Sequence, residues 1–115
     1  AVLTLWRQYQ LEADADKTQR ATATLERALR IEPRNPFLWQ QLAKIKLDQE
    51  QPRQAVAMAR KSNSLAVGNP YVQLGNWRII HEAKDQLDDD SGADFAEERI
   101  EFLEEAIARK GTRGG

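Results

Sequence analysis

Residues 25–59, LERALRIEPRNPFLWQQLAKIKLDQEQPRQAVAMA, constrain the fold more than any other part of this 115-residue chain. The stretch reads as the back helix of one unit, a proline turn, and then a complete helix pair, and the flanking segments look like degraded copies of it. Ala21, Leu25 and Ala28 recur 34 residues later as Ala55, Ala59 and Ser62. A period of that length marks a stacked helical repeat, in which each unit buries its apolar face only against its neighbours. Such arrays bind other molecules and seldom perform chemistry, so the repeat defines the kind of tool more sharply than its target.

Apolar spacing divides the chain into six helical segments, at about 2–14, 17–31, 36–49, 52–66, 70–87 and 94–110. The first carries Val2, Leu5, Trp6, Tyr9 and Ala13 on one face, and Asp16 with Gln19 forms a capping box that opens the second. Asn35 with Pro36, and Asn69 with Pro70, are matched start signals: the amide oxygen accepts from a free backbone donor, and proline lacks the donor that would go unsatisfied. Pro52 restarts the chain for the fourth helix, and Gly68 is placed to close it in a left-handed conformation. After an acidic turn at 88–92, Asp94 with Glu97 offers a second capping box for the last helix. All four prolines fall at helix starts or turns, the agreement between levels that a real array shows. The expected fold is all-α, with antiparallel pairs 2–31, 36–66 and 70–110 stacked as a short right-handed superhelix in one domain, 1–110, and a flexible tail at 111–115.

Composition removes several function classes. With 41% hydrophobic and 30% charged residues the chain buries a modest core, and 17 basic against 18 acidic side chains give no sign of a polyanionic partner such as nucleic acid. No apolar run approaches the roughly 20 residues that span a bilayer, so direct membrane insertion is not expected. Cysteine is absent, which removes disulfides and thiolate metal sites without choosing a compartment. His81 is the single histidine and builds neither a zinc site nor a nucleophile–base pair. Asp88, Asp89, Asp90 and Asp94 lack the glycine and terminal glutamate of a calcium loop, and Glu97, Glu98, Glu101, Glu104 and Glu105 read as a solvated helix face. No catalytic residue, metal or cofactor is expected, and the chain reads as a non-enzyme.

Trp39, Leu42 and Ala43, and again Tyr71, Leu74 and Gly75, follow the pattern of a large aromatic and then Leu-Ala or Leu-Gly. Trp6 and Tyr9 keep a degraded version, while Ala21, Leu25, Ala28 and Pro33 complete the pattern of a back helix that Ala55, Ala59 and Ser62 repeat without the proline. On these residues the chain resembles the tetratricopeptide repeat family. In the third unit Leu103, Ala106 and Ile107 echo Leu25, Ala28 and Leu29, with about ten extra residues between its helices. Packing explains the pattern: small residues allow close helix approach while Trp39 and Tyr71 fill the space between, so Trp39→Ala should cost about 3–5 kcal/mol.

The resemblance places the first helix of each pair along a concave groove lined by Arg7, Leu11, Phe37, Gln40, Lys44, Leu47, Val72, Asn76 and Ile79. An alternative alignment on the two Asn-Pro starts puts Tyr71 and Arg78 there, beside Lys44. Apolar anchors mixed with polar donors suit an extended peptide or a partner helix. The positions at which some family members clamp a chaperone carboxylate hold Arg7, Leu11, Lys44, Val72 and Asn76, and only Arg7 keeps its charge in kind, which speaks against such a clamp.

Residues 25–66, with NWRII at 76–80, are similar to small tetratricopeptide lipoproteins of Gram-negative envelopes. These include outer-membrane activators of bifunctional, class A penicillin-binding proteins, the synthases that polymerise and cross-link peptidoglycan. The resemblance implies a periplasmic domain, tethered to the outer membrane through a lipidated segment upstream of Ala1, that binds and stimulates such a synthase. The chain begins at Ala1 without a signal peptide, in keeping with a trimmed or mature fragment. Two other readings stand beside it. One is a general scaffold joining envelope or cytoplasmic proteins. The other is a homodimer through the last helix, whose Phe95, Ile100, Phe102, Leu103 and Ile107 form an apolar face wider than one packing partner needs.

Overall fold

The computed structural model describes residues 1–14 and 18–114, with side-chain surroundings for 1–10 and 18–111. Among them lie six helices: α1 Val2–Asp14, α2 Thr18–Ile31, α3 Pro36–Asp48, α4 Pro52–Leu65, α5 Pro70–Gln86 and α6 Asp90–Gly114. Asp16 of the first capping box falls outside the described residues.

Local chemistry sets the starts. Asn35 Oδ1 accepts from the Phe37 N–H at 3.0 Å and Asn69 Oδ1 from the Val72 N–H at 3.2 Å, with proline at the start of α3, α4 and α5. The ends hold a surprise. Gly68 takes the left-handed conformation expected of it, at φ 81, but so do Glu50 and Asp88, at 58 and 56. Beyond α3 the Gln51 N–H reaches back to the Lys46 carbonyl at 2.9 Å, and beyond α5 the Asp89 N–H reaches back to that of Lys84, also at 2.9 Å. Each turn therefore satisfies carbonyls that a helix end would leave open, without glycine.

Helices pair in sequence, α1 with α2, α3 with α4 and α5 with α6, and α4 packs closely on α5. α2 also packs on α3, and α3 approaches α5 closely, which brings the first helices of the second and third pairs together on one side of the stack. The 34-residue register survives in burial: Ala21, Leu25 and Ala28 are 1% exposed and Ala55, Ala59 and Ser62 are 0%. Two clusters make the core. Leu5, Tyr9, Leu25, Leu38 and Leu42 anchor the N-terminal one, and Leu47, Val56, Ile79, Ile80 and Ala96 the C-terminal one. Met58 packs against both.

Four expectations change. The last helix begins at Asp90 rather than 94, because Asp89 Oδ1 accepts from the Gly92 N–H at 3.0 Å and caps it four residues earlier. That start buries Ala93 and Ala96 against α5. The extra length of the third unit is accordingly not a loop: three residues join α5 to α6, and the surplus lies in helices of 17 and 25 residues. α6 also continues through 111–114, since Gly111 does not take the left-handed conformation that stops a helix. Finally, Tyr71 does not fill the space between helices. It is 63% exposed, and Trp39 is only half-buried, with its indole N–H donating to the Pro33 carbonyl at 2.9 Å.

Candidate functional site

The inner side of the array carries two adjoining cavities that share Lys44 and Asp48 of α3. One, of about 360 Å³, lies between α3 and α5 and is lined by Lys44, Leu47, Asp48, Gly75, Arg78, Ile79 and Glu82. The other, of about 350 Å³, opens toward α1 and α2 and includes Tyr9, Thr18, Gln41, Ile45 and Gln49. Helical geometry explains the lining. Phe37, Gln41, Lys44 and Asp48 follow one another at i, i+4, i+7 and i+11 along α3, and Tyr71, Gly75, Arg78 and Glu82 stand 34 residues on along α5. Each stripe thus offers an aromatic, a base and an acid in the same order, over a floor of Leu47 and Ile79.

Of the residues expected in the groove, Lys44, Leu47, Ile79 and Arg78 come together in the α3–α5 cavity. Leu47 and Ile79 line it as the aromatic alignment has them, while Arg78 enters it as the alignment on the Asn-Pro starts has it. Phe37, 37% exposed, packs edge-on against Trp6, ring centroids 4.5 Å apart, and Arg7 is exposed on α1, apart from both cavities. The side chain of Leu11 lies outside the described residues.

Asn76 is corrected outright. It is 0% exposed, and its amide donates to Ser62 Oγ at 2.8 Å and Asn63 Oδ1 at 2.9 Å while accepting from Gln40 Nε2 at 3.1 Å. It occupies the repeat position of buried Leu42 and serves the α3–α4–α5 junction. Gln40 is likewise committed to the fold, its amide donating also to the Val72 carbonyl at 2.9 Å. Gly75 makes room for it: an added Cβ would stand 2.5 Å from Gln40 Nε2.

Gln41, Asp48 and Glu82 were missed. The signal for the two acids was present, four residues after Lys44 and Arg78. Gln41 is 7% exposed, lines the α1–α3 cavity, and has no hydrogen-bond partner among the described residues. Its carboxamide carries donors and an acceptor that no described residue satisfies. Burial raises the Tyr9 phenol above its ordinary value, and the Asp48 carboxylate adds to the effect. Arg78 is the groove cation with an internal partner, Glu104 of α6, at 3.1 Å in an exposed pair that contributes little. Among the described residues no three His, Cys, Asp or Glu side chains cluster to hold a metal ion.

No family model and no curated protein matches the sequence. A solved structure does: the globular C-terminal domain of P. aeruginosa LpoP superposes with a TM-score of 0.83 and 35% identity, over 87% of this chain and 94% of that one. The chain belongs to the LpoP C-terminal domain family. The all-helical fold expected from the 34-residue period is shared with the LpoP domain over most of both chains.

Proposed function

We propose that this LpoP-type domain is a non-catalytic interaction module of an envelope lipoprotein that binds a bifunctional, class A penicillin-binding protein and stimulates peptidoglycan synthesis. The match to the LpoP domain across nearly the full length of both chains carries the reading. It agrees with the resemblance of residues 25–66 and 76–80 to outer-membrane activators of these synthases. No helix among the described residues is long and apolar enough to cross a membrane, and tethering to the outer membrane, on the periplasmic side, belongs to the same proposal.

The contact surface in this reading is the inner groove, with Lys44, Asp48, Arg78 and Glu82 as charged contacts and Phe37 and Tyr71 on the same two stripes toward the helix starts. Paired opposite charges over an apolar floor favour a partner segment of complementary order and disfavour others. Stimulation follows if the domain binds the active form of the synthase more tightly than the inactive one, shifting that equilibrium by its differential affinity. Purified class A synthases of the same organism, assayed for glycan polymerisation and cross-linking with and without the domain, test this. Specific binding with a rise in either rate is the expected result, and Lys44→Glu combined with Arg78→Glu should weaken it while helix content and melting temperature stay the same. No binding to any class A synthase refutes the activator reading and leaves a general adaptor.

A further inference from the structure

The last helix leaves aromatic surface uncovered. Phe95 and Phe102 are 55% and 52% exposed and, seven residues apart, share one stripe of α6. Phe95 packs edge-on against half-buried Trp77 of α5, ring centroids 5.6 Å apart. Between the two phenylalanines Arg99 holds its guanidinium 4.9 Å from the centre of the Phe102 ring. Alongside runs a row of exposed acids, Asp94, Glu98, Glu101 and Glu105. Glu105 pairs with Arg109 at 3.2 Å, whereas Asp94, Glu98 and Glu101 have no cationic partner among the described residues.

Two half-exposed rings beside unneutralised carboxylates form a surface that is completed by one apolar ridge with flanking cations. An antiparallel symmetric pairing of two copies through α6 would set one carboxylate row against the other, and a parallel one would leave both rows without cations, so the charge pattern favours a basic partner over a second copy. We propose that the stripe formed by Trp77, Phe95 and Phe102 docks a basic amphipathic helix of a partner protein. Its apolar ridge covers the phenylalanines, and its lysine or arginine side chains meet Asp94, Glu98 and Glu101. Arg99 over Phe102 shows that these ring faces accept a cation. The surface is distinct from the cavities lined by α3 and α5, and its occupancy does not depend on the groove reading.

An idealised lysine–leucine amphipathic helix is the probe, titrated into the isotope-labelled domain and followed by NMR, with a scrambled peptide of the same composition and a glutamate–leucine helix as controls. Saturable shifts around Trp77, Phe95 and Phe102 are expected, weakening with salt. Phe102→Ala, and separately the pair Glu98→Lys with Glu101→Lys, should each reduce affinity by about tenfold, with helix content unchanged because all three side chains are exposed. Absence of saturable binding, equal binding of the scrambled peptide, shifts confined to the α3–α5 groove, or full affinity in Phe102→Ala overturns the proposal. Sedimentation of the domain alone should show a monomer. Self-association that Phe102→Ala abolishes would make a second copy the occupant and likewise overturn it.

Discussion

Glu50 stands where a helix-ending glycine would ordinarily be, with φ at 58. Glu50→Gly is expected to raise stability by about 0.5–1 kcal/mol, since an L side chain there costs about 1–2 kcal/mol and glycine's larger unfolded-state freedom returns part of it. Urea denaturation measures the difference. Gln41 is a second residue out of step with its surroundings, a buried carboxamide without a partner among the described residues. Gln41→Leu should stabilise the free domain by about 1 kcal/mol, and the same substitution should weaken any ligand that uses the α1–α3 cavity. Tyr9 adds a pH dependence. Its folded-state value is raised above the ordinary 10.0, so its contribution to stability is intact below about pH 10 and is lost as pH rises through the raised value. Tyr9→Phe should flatten that alkaline fall in melting temperature while leaving the neutral value nearly unchanged. None of these three features was legible in the sequence. A left-handed glutamate carries no compositional mark, and whether an amide or a phenol is desolvated depends on helices far along the chain.

At the scale of elements, the Asn-Pro starts and the glycine stop at Gly68 were legible, whereas the left-handed turns at Glu50 and Asp88 and the start of α6 were not. Asparagine followed by proline acts within one turn of helix, so Asn35 and Asn69 announce α3 and α5 from the sequence alone. The start of α6 had several candidate aspartates, and tertiary burial of Ala93 and Ala96 chose Asp89 over Asp94. The junction of α3, α4 and α5 is the clearest case of a role assigned only by packing. Ser62 Oγ donates to the Pro36 carbonyl at 2.6 Å and accepts from Asn76, which in turn holds Gln40. Asn76→Ala removes three hydrogen bonds from this junction, one of them to buried Ser62, and should cost about 2–3 kcal/mol, at the upper end of a lost buried hydrogen bond. Chemical denaturation gives the size. The side chains of Ser62 and Gln40, followed by NMR, would report whether the α4–α5 contact loosens.

The whole molecule separates its charge along the stack. Residues 18–66 carry nine Lys or Arg against four Asp or Glu, and residues 67–115 carry six against eleven. The near-zero net charge that spoke against a polyanionic partner is therefore a cancellation between two ends. Arg20, Arg27, Arg30, Arg53 and Arg60 are exposed on α2 and α4, while the Lys or Arg ion pairs among the described residues, Arg78–Glu104, Lys84–Asp89 and Arg109–Glu105, lie in α5, α6 and the turn between them. At pH 7 and low salt the domain should be retained on a cation exchanger despite a pI of about 5.9, because a resin responds to local patches as well as to the net charge. Arg30→Glu with Arg60→Glu should release it. Retention unchanged by the pair would mean that the two helices do not present their arginines as one surface.

The sequence by itself determined the all-α class, the 34-residue register and the starts of α3, α4 and α5, since helical periodicity and capping act within a few residues. The same period held the groove stripes of α3 and α5, with bases at 44 and 78 and acids at 48 and 82. Only the tertiary structure decided which of two alignments of α5 applies, exposing Tyr71 and burying Asn76, because an aromatic motif and a start signal two residues out of phase are equally valid locally. Packing against α3 and α4 broke that tie. It also left Phe95 and Phe102 uncovered, since α6 ends the described stack and no further helix packs on it there.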